Sequence, residues 1–269
     1  MVKHTPFDYD IAAATVLLVG SSSPMTLSIS QDKDKAYSGD DLFSGSTTLI
    51  NAIGLTTSAD KSAADTLIAT LHGGGAPVLT ANGSKTVLLG STNTPVWLST
   101  ADDARVLLTE LQLTAQNMGR YFTTASPPAA GTYGTDGAPV LTFVDGDFTV
   151  PDGKKGGGLL VVTGTLTFAG TGSWDGFVLC LGNSPSGTAA NFKVTGNKNA
   201  YLKGAMIIAA FDRTQAIGTG APFLAPIFDN QAGGDTVFQY DSGEVRDAIY
   251  TLPPRVVGVH EGWTVAPSS

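Results

Sequence analysis

Serine, histidine and aspartate could build a nucleophilic site in this chain, but their surroundings do not prepare one. His4 and His260 lie near the termini, and His72 abuts the Gly73-Gly74-Gly75 run. No serine sits in the Gly-x-Ser-x-Gly turn that would raise a nucleophile above a sheet. Gly83-Ser84-Lys85-Thr86 has the ending of a phosphate-binding loop, yet Val78 occupies the place of the earlier glycine, which leaves a turn. Gly156-Gly157-Gly158 precedes a strand instead of opening a helix, so it is not a dinucleotide fingerprint.

The carboxylates are the richer source of chemistry. Asp32, Asp34, Asp40 and Asp41 form the densest acidic group, and several oxygens on one loop suit a hard cation such as calcium. The EF-hand spacing fails, because Ala36 stands at a ligand position and Tyr37 replaces the glycine. These four aspartates are the candidate metal ligands, set against a solvated polar loop with no metal. A second group, Asp145, Asp147 and Asp152, has Lys154 and Lys155 nearby, the makings of a polysaccharide lyase with a basic residue. Asp145-Gly146 and Asp152-Gly153 are also turn pairs, and turns explain these residues without a site. Trp97 and Trp174 could offer aromatic faces to a sugar or partner; packing is the expectation for Trp174 between Gly172 and Gly176. Cys180, the only cysteine, lies in an apolar run as a small core residue, and a single thiol excludes an internal disulfide.

The elements that must position these groups are β-rich. Of 269 residues, 42% are hydrophobic, enough for a substantial core, while 14% are charged and 33 are glycine. Soluble domains average about a quarter charged, so Thr, Ser, Asn and Gly must cover this surface, as in many extracellular β proteins. A net charge of -8 without a Lys/Arg cluster excludes nucleic acid as a partner. The longest apolar stretch, Ile11 to Val19, is too short to cross a bilayer.

Residues 1–125 read as a small α/β portion. Ser58 caps a helix bearing Ala64, Leu67, Ile68 and Leu71 on one face. Thr100 caps a second with Asp102 and Asp103 in its first turn, Leu107, Leu108, Leu111, Ala115 and Met118 at helical spacing, and Gly119 at its end. Thr86 to Leu89 and Pro95 to Leu98 read as short strands. The Pro-, Ala- and Gly-rich stretch from Thr123 to Gly137 separates this portion from the rest.

From Ala138 to the C-terminus, β-branched runs return after Gly-rich corners, beginning near Val140, Leu159, Phe177, Ala205 and Val237. Their recurrence predicts a β-solenoid half (138–269), making the chain mainly β with a few helices. Phe177 to Leu181 and Ala205 to Ala209 are continuously apolar, the pattern of strands covered on both faces. Ser242 caps a last helix carrying Val245, Ala248, Ile249 and Leu252, expected to cover the open end of the solenoid.

The order Gly156-Gly157-Gly158-Leu159-Leu160-Val161-Val162-Thr163-Gly164-Thr165-Leu166, then Gly170, Trp174-Asp175-Gly176-Phe177-Val178 and Gly182, resembles the repeat of PilX-like type IV pilus assembly proteins. Lys203-Gly204-Ala205-Met206-Ile207-Ile208-Ala209 and Tyr240-Asp241-Ser242 continue the likeness, which extends over about residues 25 to 263. It implies an accessory pilus component anchored by an N-terminal hydrophobic helix, which this chain lacks, and it supplies no catalytic residues. The expectation is a non-enzymatic structural or assembly component, periplasmic or at the cell surface. It would need no cofactor unless calcium binds, and would act through protein partners or self-association. Membrane contact would come only through a segment absent from this chain. The alternative is a carbohydrate-binding or carbohydrate-active β-helix protein.

Overall fold

The computed structural model describes residues 3–4, 14–20, 25–29, 35–43, 49–70, 78–80, 86–89, 94–182, 191–196, 199–231, 234–253 and 255–256. In chain order, the first elements are β1 (Lys3–His4), β2 (Ala14–Val19), β3 (Thr26–Ile29), β4 (Lys35–Ser38), β5 (Asn51–Leu55), α1 (Ser58–Thr70), β6 (Val78–Thr80) and β7 (Thr86–Leu88). A 3-10 turn (Val96–Leu98), α2 (Ala101–Asn117), β8 (Tyr121–Thr123), β9 (Val140–Asp145), β10 (Phe148–Val150) and β11 (Lys155–Val162) follow. Then come β12 (Leu166–Ala169), β13 (Ser173–Leu181), β14 (Phe192–Thr195) and β15 (Tyr201–Ala209). The chain continues through β16 (Ile227–Asn230), β17 (Thr236–Gln239), α3 (Ser242–Tyr250) and β18 (Arg255–Val256).

The strands form two large parallel sheets and a small antiparallel pair, β1 with β18. One sheet has five strands in the order β10-β12-β14-β16-β3. The other has eleven, along the path β6-β4-β17-β15-β13-β11-β9-β8 with β2, β5 and β7 branching from β15. The branch arises within β15: Tyr201 to Lys203 pair with β17, whereas Met206 to Ala209 pair with β2. Between them Gly204 takes φ +134°, aligned across the sheet with Gly176 (+131°) and Gly158 (+106°). A side chain is strongly disfavoured at such angles, and at each of the three a Cβ would also run into the backbone of the adjacent strand. The glycine row therefore bends three neighbouring strands at one level.

Both faces of the central strands are covered. Leu160, Val162, Val178, Cys180, Met206 and Ile208 point toward Phe168, Phe192 and Phe228 of the smaller sheet. Their neighbours Leu159, Val161, Phe177, Leu179 and Ile207 pack outward against Leu107, Leu108 and Leu111 of α2 and Val245 and Ile249 of α3. This double burial is why the runs are apolar at every position rather than at alternate ones.

The expected β-solenoid half preceded by a small α/β portion is not what forms. Among the described residues the protein is an α/β fold with mostly parallel strands in two large sheets and with three helices. The Gly-spaced runs do become strands, but strands from the first ninety residues enter the same two sheets, β2 beside β15, β3 beside β16 and β4 beside β17. A glycine corner followed by a β-branched run records a bend and two buried faces; it does not specify which strand lies alongside. Helix α3 lies across β11, β13 and β15 and not over an open end.

Locally, α2 forms as its sequence indicates, with a reciprocal capping box between Thr100 and Asp103. Met118 is its C-cap and is exposed, so the apolar face ends at Ala115. In α1, Ala64 is buried and Ile68 packs on the core, Leu71 lies outside the described residues, and the cap is Thr57 and not Ser58, the Thr57 hydroxyl accepting the Asp60 N–H at 3.0 Å. Pro95 to Leu98 is not a strand: Leu98 N–H closes on Pro95 O at 2.8 Å and makes the 3-10 turn.

Candidate functional site

The densest group of perturbed charges lies on the N-terminal side of the glycine row. Gly157, Asp175 and Lys203 occupy equivalent register positions on β11, β13 and β15. Lys155, two residues before Gly157, shares its strand face and reaches diagonally to Asp175, with Nζ 2.5 Å from Oδ2. The Lys203 ammonium meets three carboxylates: Glu244 at 2.7 Å, Asp241 at 3.5 Å and Asp136 at 3.8 Å. Asp241, and not Ser242 as the sequence suggests, caps α3, its Oδ1 accepting the Glu244 N–H at 3.0 Å.

Burial dominates the electrostatics of the acids. It raises the Asp175 carboxyl above its ordinary range, against the opposing pull of Lys155 and Lys203 and with a push from Asp136. Burial likewise raises Glu244, where Lys203 pulls the other way and the adjacent Asp136 carboxyl adds to the rise. Burial works against the Lys203 ammonium, but Glu244, Asp241 and Asp136 overcome it and hold the amine above the usual lysine range. Tyr201 is raised by burial and then by the Asp175 charge. Such offsets mark functional sites more often than ordinary surface, although structural ion networks produce them too. Here the network fastens α3 and the segment around Asp136 to the sheet.

A second network closes the C-terminal side of the same strands. The Asp145 carboxylate accepts from Arg213 Nη1 at 2.5 Å, Tyr121 Oη at 2.8 Å and Thr163 Oγ1 at 2.9 Å. Burial opposes ionisation, but these three donors hold Asp145 below the usual carboxylate range. Asp147 accepts the Thr165 N–H at 2.7 Å, and Asp152 accepts from both the N–H and the hydroxyl of Thr171. Gly146 and Gly153 take φ +114° and +72°, as turn residues do. Asp145, Asp147 and Asp152 thus bind successive neighbouring segments instead of converging, and Lys155 turns to Asp175.

Of the acidic group expected to hold a metal, Asp32 and Asp34 lie outside the described residues. Asp40 joins an antiparallel bridge to Leu49, and Asp41 Oδ1 accepts N–H groups from Phe43 and Ser242 at 3.0 and 2.9 Å. Among the described residues no cluster of three or more His, Cys, Asp or Glu has metal-holding geometry. His72 and His260 also lie outside the described residues. Trp174 is fully buried, which removes it as a sugar platform, and Trp97 packs against the outer core. Cys180 is buried, and burial pushes its thiol well up. Among the described residues no helix is long and apolar enough to cross a membrane.

The Asp175–Lys203–Glu244 group was not singled out by sequence. Its signal was present in register: Asp175-Gly176 and Lys203-Gly204 each place a charge directly before the bending glycine and an apolar run. No family model matches the chain, and no curated protein or solved structure matches it either.

Proposed function

We propose that the protein is a non-enzymatic structural or assembly component of a surface or secretion apparatus of the type IV pilus kind, working outside the cytoplasm through contacts with other proteins. The observation that carries this reading is a strip of exposed aromatic and aliphatic side chains along α3. Phe43 and Leu42 are 38% and 50% exposed, and Tyr250, one turn from Arg246 on the helix, is 56% exposed. The Arg246 guanidinium lies 4.8 Å above the Phe43 ring. Aromatic residues and arginine dominate the energetic centres of protein interfaces.

The test is genetic. Deleting the gene in its source organism should reduce surface filaments seen by electron microscopy. The intact gene should restore them, and the double variant Phe43→Asp, Tyr250→Asp, present at equal level, should not. Unchanged filaments after deletion would overturn the reading.

A carbohydrate-active protein is the second reading, favoured by three carboxylates gathered around Lys203 and by a Glu244 carboxyl raised toward the protonated form, as a general acid requires. Release of reducing ends from a polysaccharide panel by the intact protein, abolished in Glu244→Gln at unchanged thermal stability, would replace the assembly reading with this one.

A further inference from the structure

We propose that the Lys155 amine and the Asp175 carboxyl condense into an amide, so that the mature protein carries a covalent Lys–Asp bond between β11 and β13. The two side chains sit on the same face of adjacent parallel strands, with Nζ against Oδ2 at 2.5 Å. Asp175 has no exposed surface, and neither of its side-chain oxygens accepts a well-aligned hydrogen bond. A buried carboxylate with one point contact is costly, because its remaining lone pairs have lost water and gained nothing. The neutral acid avoids that cost and is the electrophilic form; the amide avoids it permanently.

The pair holds everything the step needs. Transfer of one proton from the Lys155 ammonium to the Asp175 carboxylate gives a neutral amine beside a neutral acid. Nζ then adds to Cγ, a new N–C bond forms, the second Nζ proton passes to the departing hydroxyl, the C–O bond breaks and one water molecule leaves. No oxidant, reductant or further reactant enters. Holding the two groups in contact supplies the effective concentration that a free amine and acid lack in water. The half-exposed stem of Lys155 gives the departing water a route out.

The other close lysine–carboxylate pair of this cluster is a poorer candidate, because three carboxylates around Lys203 hold the proton on its amine. Lys155 meets Asp175 alone among the described ion pairs. The proposal does not rest on the assembly reading above, since a cross-link of this kind would form in a binding protein or an enzyme alike.

Intact-mass measurement of the full chain in denaturant tests it. The protein should be lighter than its sequence by the mass of one water, and tryptic digestion should leave Lys155 uncut, giving a single peptide of residues 155–193 that is lighter by one water and closed by an internal Lys155–Asp175 loop. Lys155→Arg and Asp175→Ala should each have their full sequence mass. Asp175→Asn, which preserves shape, should instead lose one ammonia, so a poorly folding Ala variant does not blunt the test. A full sequence mass for the unmodified chain, or a mass deficit mapped to Lys203 and Glu244, would overturn the proposal.

Discussion

The indole N–H of Trp174 donates to the carbonyl oxygen of Gly158, 2.9 Å away on the neighbouring strand. This bond fixes the ring beneath the bend, and the ring explains the residue opposite it: a Cβ at Gly156 would occupy the space of the Trp174 six-membered ring. Ring and glycine are therefore one packing unit. Trp174→Phe should keep most of the apolar contact but leave the buried Gly158 carbonyl without its donor, a loss of about 1–3 kcal/mol. Urea unfolding followed by intrinsic fluorescence of the remaining tryptophans measures it.

Gly176→Ala should be more damaging than its size suggests. The residue combines φ +131° with a close approach to the Gly158 backbone, so neither rotation nor a small shift relieves the added methyl. Strain of roughly 3 kcal/mol is expected from the backbone angle alone, with the steric conflict added. Gly119→Ala is the control: its φ is also positive, but nothing lies within 4 Å of the added carbon. Thermal melts of the two variants should separate clearly, with Gly119→Ala closer to the unmodified protein.

Asp145 gives a pH dependence of definite sign. Its folded-state carboxyl lies below the ordinary value, so its contribution is fully present above the unfolded carboxyl range and is lost as pH falls through the lower folded value. Asp145→Asn should be less stable near neutrality, where Arg213 loses its partner, and should show a shallower fall in stability on acidification. Denaturant midpoints collected from neutral to strongly acidic pH check the convergence of the two curves.

The helix caps offer a milder test. Thr100→Ala removes the hydroxyl that accepts Asp103 N–H at 3.1 Å, and Asp241→Ala removes the carboxylate that accepts Glu244 N–H. The first should cost about 1 kcal/mol, the usual value of such a cap. The second should cost more, because Asp241 also faces the Lys203 ammonium at 3.5 Å. Calorimetric melting of both variants gives the comparison.

These contrasts show which parts of the molecule local sequence can specify. Helix α2 was readable because Thr100, Asp103 and the apolar residues from Leu107 to Ala115 act on one another within a few turns. The turn role of Asp145 and Asp152 was readable for the same reason, since each precedes a glycine that the backbone needs. Strand existence was visible in the runs at Leu159, Phe177 and Ala205, but strand neighbours were not. The pairing of Val16 with Met206 leaves no mark in either segment beyond hydrophobicity. The charge cluster was hidden still further, because Asp136, Lys203 and Glu244 come from three segments and acquire meaning only when the sheet and α3 bring them together.

The sheet pairing also dictates an order of events in time. Strand β2 lies between β5 and β15, and β4 lies between β6 and β17, so early strands complete their pairing only with strands from the last third of the chain. A chain emerging from the ribosome cannot satisfy those edges until β15 and β17 have been made. Contacts so distant in sequence place folding toward the slow end of the single-domain range. During that interval the hydrophobic β2 segment, Ala-Thr-Val-Leu-Leu-Val, is a place where a holding chaperone would bind and where a premature partner strand would do harm.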